Sequence, residues 1–237
     1  QTFDFPTEEF RVKNNKLFFN DVDLNQIIKK YGTPLKLSYL PKISQQIQNA
    51  KEFFAKAKKK KKYEGKYLYC YCTKSSHFEF VLDEALKNDI HIETSSAFDI
   101  HIVQKLLEKG KITKDIHVIC NGFKRDKYKE NISALLNDGF KNCIPILDNL
   151  NELDYYKDHV NEKFQVGIRV ASDEEPNFSF YTSRLGFRYS DIIDYYKKEI
   201  KDSPKASLKM LHFFINTGIK DSAYYWSELS RFMYKYC

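Results

Sequence analysis

The sequence contains no apolar run close to the ~20 uninterrupted residues that a membrane-spanning helix needs. Its first residues, Gln1–Pro6, include neither a basic segment nor an apolar stretch, so we expect no signal peptide. The 19 Phe and 17 Tyr are far more than a disordered chain carries, which excludes the low-complexity classes. These features predict a folded, cytoplasmic protein whose 237 residues suffice for a sizeable core.

Cysteine is scarce and irregularly placed, with five residues in the chain: Cys70, Cys72, Cys120, Cys143 and Cys237. An odd count without regular spacing argues against a disulfide framework. One residue separates Cys70 from Cys72 and no second pair accompanies them, so we predict neither a zinc site nor another metal site. We expect buried, reduced thiols.

The net charge of +7 owes much to one run, Lys56–Lys62, which only Ala57 interrupts. Lysines near the C-terminus of a helix interact favourably with its dipole, and we interpret the run as a solvated helix end. A patch for phosphate or nucleic acid is the alternative. Because the chain lacks the aromatic interleaving and the groove-sized helix of a nucleic-acid binder, we expect neither nucleic acid nor a membrane as a partner.

The N-terminal segment predicts a β-hairpin followed by a short helix. Two alternating runs within residues 10–19 flank Asn14 and Asn15, and asparagine tolerates the positive φ of a two-residue hairpin turn. Residues 23–31 then show a helical pattern, which Gly32 and Pro34 end.

From residue 35 onward, strand-like and helical patterns alternate. Apolar residues at three- and four-residue spacing separate the strand-like runs and follow the last of them. The runs are nearly continuous in hydrophobicity, as strands covered on both faces require. There are seven of them: Leu35–Leu40, Tyr67–Cys72, Ile90–Thr94, Ile116–Cys120, Cys143–Leu147, Val166–Val170 and Met210–Ile215.

Such βα repeats most commonly close into an eight-stranded barrel. The competing doubly wound open sheet normally has a Gly-rich turn after its first strand, and residues 39–42 contain no glycine. We therefore predict an α/β fold, a (βα)8 barrel in which seven βα units are visible and the eighth strand is absent.

Functional groups of such a barrel lie at the carboxyl ends of its strands. Lys74 ends the otherwise apolar second run. An amine that enters a barrel mouth loses solvation, which favours the neutral form that attacks aldehydes. The alternative is a strand-end lysine that reaches back to solvent. Polar residues also end the later runs: Glu93, Asn121, Lys124, Asp148, Arg169 and residues 216–218.

Five segments, in order along the chain, resemble the fold-type III pyridoxal-phosphate-dependent decarboxylases. Tyr71–Ser76 (Tyr-Cys-Thr-Lys-Ser-Ser) resembles their Y-x-x-K-x-N motif, and Ile92–Asp99 resembles their D-x-A-S-x-x-E segment. Tyr31–Leu35 is similar to the entry of their first strand. Ile119–Lys124 (Ile-Cys-Asn-Gly-Phe-Lys) and Leu211–Gly218 are similar to the I-C-N-G-Y-K and L-H-F-H-x-G-S stretches of the biosynthetic arginine decarboxylase branch.

The resemblance implies pyridoxal 5'-phosphate as cofactor, bound through a Schiff base on Lys74. Glu93 stands at the position of a family aspartate near the cofactor ring, where a carboxylate stabilises the iminium charge; a buried ion pair is the alternative. Arg169 matches an arginine of the sixth strand near the cofactor. Because it lies in a parallel strand, Arg169 needs an anionic or carbonyl partner.

The last predicted strand adds further residues by the same resemblance. Thr217 stands where the family has a phosphate-contacting serine. Phe214 stands where relatives have a ring-stacking histidine, and a phenyl ring stacks but neither hydrogen-bonds nor carries a proton. His212 shares a strand face with Phe214 if the strand is regular. His212 and Asn121 are therefore candidates for the substrate pocket or the barrel mouth.

The resemblance also implies a domain organisation. Residues 1–31 form an N-terminal segment that contributes a hairpin to a β domain, and residues 32–237 form an incomplete cofactor-binding barrel. The sequence lacks the family's Gly-rich phosphate loop, its E-P-G segment and its C-terminal β domain, so we expect these residues alone to be inactive. The family's active site is completed across a dimer, which implies a homodimer or dimer-based assembly of the complete chain.

The implied reaction is the decarboxylation of a basic amino acid, with arginine converted to agmatine in polyamine biosynthesis. Decarboxylation of diaminopimelate or ornithine is an alternative within the same class. A non-catalytic relative that binds the cofactor or regulates an active homologue is a second alternative. Lys74 argues against that relative, whereas Phe214 is compatible with it.

Overall fold

A computed structural model describes residues 9–171, 186–188 and 190–213, together with positions 223, 227, 229, 230, 233 and 234. The predicted cofactor residues Phe214 and Thr217 lie outside the described residues, as does Cys237. The chain divides into two compact units, Gln1–Leu40 and Pro41–Cys237.

The first unit contains the predicted hairpin and helix. Asn14 and Asn15 have φ values of 53° and 57°, the two positive values that a type I′ turn requires. The Asp23 carboxylate accepts hydrogen bonds from two amides of the following helix, which ends at Gly32. The elements are β1 (Phe10–Lys13), β2 (Lys16–Phe19), β3 (Val22–Asp23) and α1 (Leu24–Tyr31), and the three strands pair antiparallel in that order. The place of this hairpin in a β domain stays a prediction.

The second unit consists of a parallel sheet whose strands alternate with helices. The strands are β4 (Cys70–Cys72), β5 (His91–Thr94), β6 (Val118–Cys120), β7 (Cys143–Leu147), β8 (Phe164–Val170) and β9 (Ala206–Phe213). The helices are α2 (Pro41–Lys61), α3 (Glu79–Leu86), α4 (Ala97–Glu108), α5 (Asp126–Asn137), α6 (Glu152–His159) and α7 (Ile192–Tyr195), and a π-helical turn (Tyr196–Ile200) continues α7.

The strand order of this sheet follows the sequence, β4-β5-β6-β7-β8-β9, and every neighbouring pair is parallel. A doubly wound sheet reverses its strand order at one point, whereas this sheet does not. The order is that of a βα barrel, as predicted. Among the described residues no ladder joins β4 to β9, so the barrel is not closed.

The structure differs from the prediction at the first strand. Residues 35–39 take part in no strand ladder of the described chain, and Leu35 and Leu37 are 39% and 42% exposed. The run Tyr67–Cys72 is a strand only from Cys70 onward. Tyr69, just before this strand, still accepts a hydrogen bond from the His91 amide at 2.8 Å. An apolar run becomes a strand only where a neighbouring strand supplies ladder bonds and covering side chains, which residues 35–39 lack in the described chain.

The two faces of the sheet have different environments, because successive strand residues point to opposite sides. The outer face packs on the helices, where Val118 and Ile168 share a core with Val103 of α4 and Ile132 of α5. The inner face is formed in its middle by a separate apolar group: Ile119, Ile144 and Ile146, with Cys70 and Met210 packed against them.

The lysine run and the cysteines lie where the sequence predicts. The run Lys56–Lys62 lies at the end of α2 and just beyond it, largely exposed. Cys120 and Cys143 are buried free thiols, while Cys70 and Cys72 are free and partly buried. In the part of the chain that the structure describes, no helix has both the length and the apolar character needed to cross a membrane.

Candidate active site at the carboxyl edge of the sheet

The residues of the candidate site lie at or just beyond the carboxyl ends of the parallel strands. Glu93 of β5 pairs with Ile119, so it projects from the inner face. Arg169 of β8 pairs with His212 of β9, which lies two residues beyond the inner-face Met210. Glu93, Arg169 and His212 therefore share the inner face at its carboxyl edge.

Lys74 lies in the turn that directly follows β4. Thr73 extends the ladder past the strand end, because its amide and hydroxyl both donate to the Glu93 carbonyl, at 3.0 and 3.1 Å. Ser75 donates from its amide and its hydroxyl to the Cys72 carbonyl, at 3.2 and 2.7 Å. These bonds hold the turn, and the Lys74 side chain within it is exposed.

The Glu93 carboxylate interacts with three neighbouring polar groups, those of Asn121, Arg169 and Lys74. Asn121, which follows β6, donates from Nδ2 to the Glu93 Oε1 at 3.1 Å. Burial raises the pKa of Glu93, while the Asn121 hydrogen bond and the charges of Arg169 and Lys74 oppose that rise. The Asn121 carbonyl accepts a hydrogen bond from the Tyr128 hydroxyl at 3.1 Å, which fixes the loop that carries it.

His212 is partly buried, and its surroundings disfavour the cationic form of its imidazole. Burial, together with the charges of Arg169 and Lys124, lowers its pKa to about 4, so the ring is neutral at pH 7. Its Nδ1 atom is buried and has no hydrogen-bond partner among the described residues, and the same holds for the Asn121 Oδ1 atom. Two buried polar atoms at this edge are thus left without a partner among the described residues and are available to a bound group.

A second group of buried charges, here named the lysine cluster, consists of Lys124, Asp148 and Glu152. The Lys124 side chain is fully buried and donates to the Gly122 carbonyl at 2.9 Å and to a carbonyl at the end of β7. Its ammonium lies 3.2 Å from the Asp148 carboxylate and 3.4 Å from that of Glu152. The Asp148 amide also donates to Glu152, at 3.2 Å.

The lysine cluster contacts Arg169 through Asp148. The Asp148 Oδ1 atom lies 3.8 Å from Nη1 of Arg169 and has no hydrogen-bond partner in the described chain. Burial raises the pKa of Asp148, and the charges of Lys124 and Arg169 oppose the rise. Asp148 is the anionic partner expected for Arg169, whose side chain is partly buried.

A short segment also fixes the backbone around Arg169. The Gly186 amide donates to the Asp148 carbonyl at 2.9 Å, and the Phe187 amide donates to the Arg169 carbonyl at 2.7 Å. A Cβ atom on Gly186, whose φ is 103°, would lie 2.9 Å from the Arg169 carbonyl oxygen. Only glycine allows this approach.

Five residues predicted for the site thus lie at one edge of the sheet: Lys74, Glu93, Asn121, Arg169 and His212. Sequence reasoning placed Lys124 and Asp148 at strand ends but did not recognise their ion pair. The sequence signal for this ion pair was that Lys124 and Asp148 each follow closely after an apolar strand. Glu152 and Gly186 carried no comparable signal, because neither directly follows an apolar strand and because the contacts that bring them to the site, with Lys124 and Asp148, join residues far apart in sequence.

No protein-family model matches the chain. In sequence it is 24% identical over 213 residues to biosynthetic arginine decarboxylase 2 of Synechocystis sp., a match that covers 82% of this chain and 32% of the relative. The chain therefore spans about a third of the curated relative that it matches.

Solved structures share the fold. Diaminopimelate decarboxylase from M. jannaschii in complex with L-lysine has a TM-score of 0.80 and 15% identity, over 95% of this chain and 52% of that one. The biosynthetic arginine decarboxylase of Campylobacter jejuni has a TM-score of 0.71 and 20% identity, over 97% and 39%. An SrLDC double mutant in complex with PLP has a TM-score of 0.70 and 15% identity, over 94% and 51%. The resemblance to the fold-type III decarboxylases is confirmed in sequence and in fold.

Proposed function

We propose that this chain is the cofactor-binding barrel of a pyridoxal-phosphate-dependent decarboxylase that converts a basic amino acid, with arginine as substrate and agmatine as product. The observation that carries the proposal is the position of Lys74. Its amine follows β4 at the carboxyl edge, beside a carboxylate, Glu93, that also responds to the charge of Arg169.

The residues present fit a polar, anionic aldehyde cofactor. Lys74 offers an amine to the aldehyde. Arg169 offers a cation on the same inner face. The buried His212 Nδ1 and Asn121 Oδ1 atoms lack partners within the described residues and are available for polar contacts with a bound ring. When bound, the cofactor supplies an electron sink for the bond to the departing carboxylate.

The chain's own residues hold and orient that group. Lys74 attaches it through its side-chain nitrogen. Glu93 places a negative charge next to that nitrogen, with its own position set by Asn121. His212 contributes one hydrogen bond at Nδ1 without adding a charge at neutral pH. Phe214 as the stacking residue and Thr217 as a phosphate contact complete the proposed set.

The assignment of arginine is the finer part of the proposal. The curated relative is named an arginine decarboxylase, and the segment Ile119–Lys124 favours that branch. Diaminopimelate is the second candidate, because a diaminopimelate decarboxylase shares the fold at a TM-score of 0.80. Carbon dioxide release by the full-length protein from L-arginine, meso-diaminopimelate and L-ornithine, measured in parallel, separates them. Release from arginine alone is expected, and release from diaminopimelate alone would transfer the assignment.

The cofactor proposal is tested by reductive trapping. The full-length protein is incubated with pyridoxal phosphate, reduced with borohydride and digested for mass spectrometry. We expect the label on Lys74 and its loss, with loss of decarboxylation, in Lys74→Ala. Lys87→Ala is the matched control, because Lys87 is an exposed lysine just after α3 that pairs with Glu84. A cofactor label on another lysine, with none on Lys74, would refute the proposal.

We further propose that the complete protein is a cytoplasmic homodimer, as the family resemblance implies. Size-exclusion chromatography with light scattering on the full-length protein checks the assembly. A monomer at micromolar concentration that still decarboxylates its substrate would contradict this part.

A further inference from the structure

Lys124 is the one fully buried lysine among the ion pairs of the described residues, and it lies outside the set that contacts the proposed cofactor. Its ammonium has four acceptors: two backbone carbonyls and the carboxylates of Asp148 and Glu152. These acceptors come from the loop after β6, the end of β7 and the first turn of α6. Lys124 therefore ties together the segments on one side of Arg169.

We propose that Lys124 is a positioning residue that acts through Asp148 to hold the Arg169 guanidinium at the carboxyl edge, in reach of the cofactor. The proposal rests on the proposed function in that the cofactor is pyridoxal phosphate. Its geometric basis is the relay from the Lys124 ammonium to Asp148 at 3.2 Å, and from Asp148 to Arg169 at 3.8 Å.

The charges explain why removal of Lys124 displaces Arg169. With Lys124 present, one ammonium faces two carboxylates, and Arg169 completes a neutral group of four. Without Lys124, Asp148 and Glu152 are two buried anions, and Arg169 is the cation that still acts on Asp148. A buried anion without a partner is strongly unfavourable, so the guanidinium moves toward Asp148 and away from Glu93.

The affinity for pyridoxal phosphate distinguishes two roles of Lys124: holding the Arg169 guanidinium in place, or attracting the anionic cofactor by its own charge alone. Lys124→Met removes a positive charge and Asp148→Asn removes a negative one. A field effect alone would weaken binding of the anionic cofactor in the first variant and strengthen it in the second. If Lys124 positions Arg169 through Asp148, both variants raise the dissociation constant, by about tenfold, the factor that a hydrogen bond to a charged group is worth.

A second readout needs no cofactor. Arg169 holds down the pKa of Glu93, whereas Lys124 is not among the charges that act on it. Carbon-13 NMR titration of Glu93 in the cofactor-free, full-length protein therefore reports the position of the guanidinium. We expect the pKa of Glu93 to rise in Lys124→Met and to stay unchanged in Lys127→Met. Lys127 is the matched control, since it is an exposed lysine of α5 that pairs with Glu130.

Each outcome decides between the alternatives. Weaker binding in both cluster variants, with a higher Glu93 pKa in Lys124→Met, supports the proposal. Tighter binding in Asp148→Asn, or an unchanged Glu93 titration in Lys124→Met, overturns it. If Lys124→Met does not fold, the direction of the change in the isosteric Asp148→Asn decides alone. If the parent does not bind the cofactor at Lys74, the proposed function fails, and the Glu93 titration still tests the role of Lys124.

Discussion

Two polar clusters lie at the carboxyl edge of the sheet and differ in how fully their groups are paired. In the lysine cluster, Lys124 is fully buried, meets two carboxylates and donates to two backbone carbonyls. In the other, here named the open cluster, Glu93, Asn121 and His212 leave the Asn121 Oδ1 and His212 Nδ1 atoms unpartnered in the described chain. The Asp148 Oδ1 atom of the lysine cluster also lacks a hydrogen bond in the described chain, but the Arg169 guanidinium lies 3.8 Å from it. A cluster whose charges all have opposite charges nearby supports the fold, whereas one that leaves buried polar atoms without such partners is suited to bind a ligand.

Arg169 interacts with both clusters and therefore couples them. It faces Asp148 in the lysine cluster, and its charge acts on Glu93 and His212 in the open cluster. Unfolding free energy is thus expected to depend mainly on the lysine cluster. The open cluster is expected to contact the ligand directly, whereas the lysine cluster affects ligand binding only through Arg169. Substitutions in each cluster of the full-length protein test this division.

The largest expected effect is on the lysine cluster. Lys124→Met should lower the free energy of unfolding by about 3–5 kcal/mol, because it leaves two buried carboxylates with one cation. Urea denaturation measures the change. The exposed control Lys127→Met should stay within about 0.5 kcal/mol of the parent. A loss below about 1 kcal/mol in Lys124→Met would mean that the cluster does not support the fold.

In the open cluster, His212 should make the unfolding free energy depend on pH. Its pKa is lowered from 6.5 to about 4, so the unfolded chain binds more protons between these values. Stability from this group is full above pH 6.5 and falls as the pH drops toward 4, by up to roughly 3 kcal/mol. His212→Gln should flatten this part of the stability curve, measured by thermal unfolding at a series of pH values.

His101→Gln is the control for that measurement, because His101 is exposed on α4. Asp148 and Glu152 also titrate with pKa values that burial raises, but parent and variant share their contribution. The difference between the two curves therefore isolates His212. Parallel curves for parent and His212→Gln would show that the imidazole is not buried in its neutral form.

The loop that joins the two clusters gives a smaller effect. Gly122 has a φ of 87°, and a Cβ atom there would lie 2.9 Å from the Ser95 carbonyl oxygen. Gly122→Ala should cost about 2 kcal/mol through backbone strain and this contact. Gly139→Ala is the matched control, because its φ of 92° imposes similar strain while no atom lies within 4 Å. Equal losses of unfolding free energy in both would show that the Ser95 contact contributes nothing.

The sequence predicted those elements whose determinants are local. The turn at Asn14 and Asn15 depends on two residues that accept positive φ, and the six parallel strands depend on continuous apolar runs. The run at residues 35–40 has the same composition, yet strand formation also depends on a partner that its own residues do not encode.

The same distinction applies to the site. Lys74, Glu93 and Asn121 directly end or follow apolar strands, so their convergence followed from the parallel order alone. The lysine cluster was not predicted. Lys124 is 24 residues from Asp148 and 28 residues from Glu152 in sequence, and only the folded positions of the side chains bring their charges together. The roles of Phe214 and Thr217, outside the described residues, stay predictions.

The smallest expected change in unfolding free energy concerns Glu93. Removing a charge from the lysine cluster should destabilise the fold, whereas removing the charge of Glu93 should not. Burial raises the pKa of Glu93, so its ionised form is disfavoured in the folded protein, and stability from this group declines as the pH rises above 4.5. Glu93→Gln removes that decline and still accepts the Asn121 hydrogen bond, so unfolding free energy at pH 7 should stay equal or rise by up to about 1 kcal/mol.

Cofactor binding should respond to this variant in the opposite direction. The neutral amide of Glu93→Gln places no negative charge beside Lys74, so the dissociation constant for pyridoxal phosphate should increase although the fold is no weaker. Ser133, a buried polar residue of α5 on the outer side, provides the contrast: Ser133→Ala should leave cofactor affinity unchanged. A Glu93→Gln protein that loses stability and keeps its cofactor affinity would place Glu93 with the supporting charges of the fold and would remove the distinction between the two clusters.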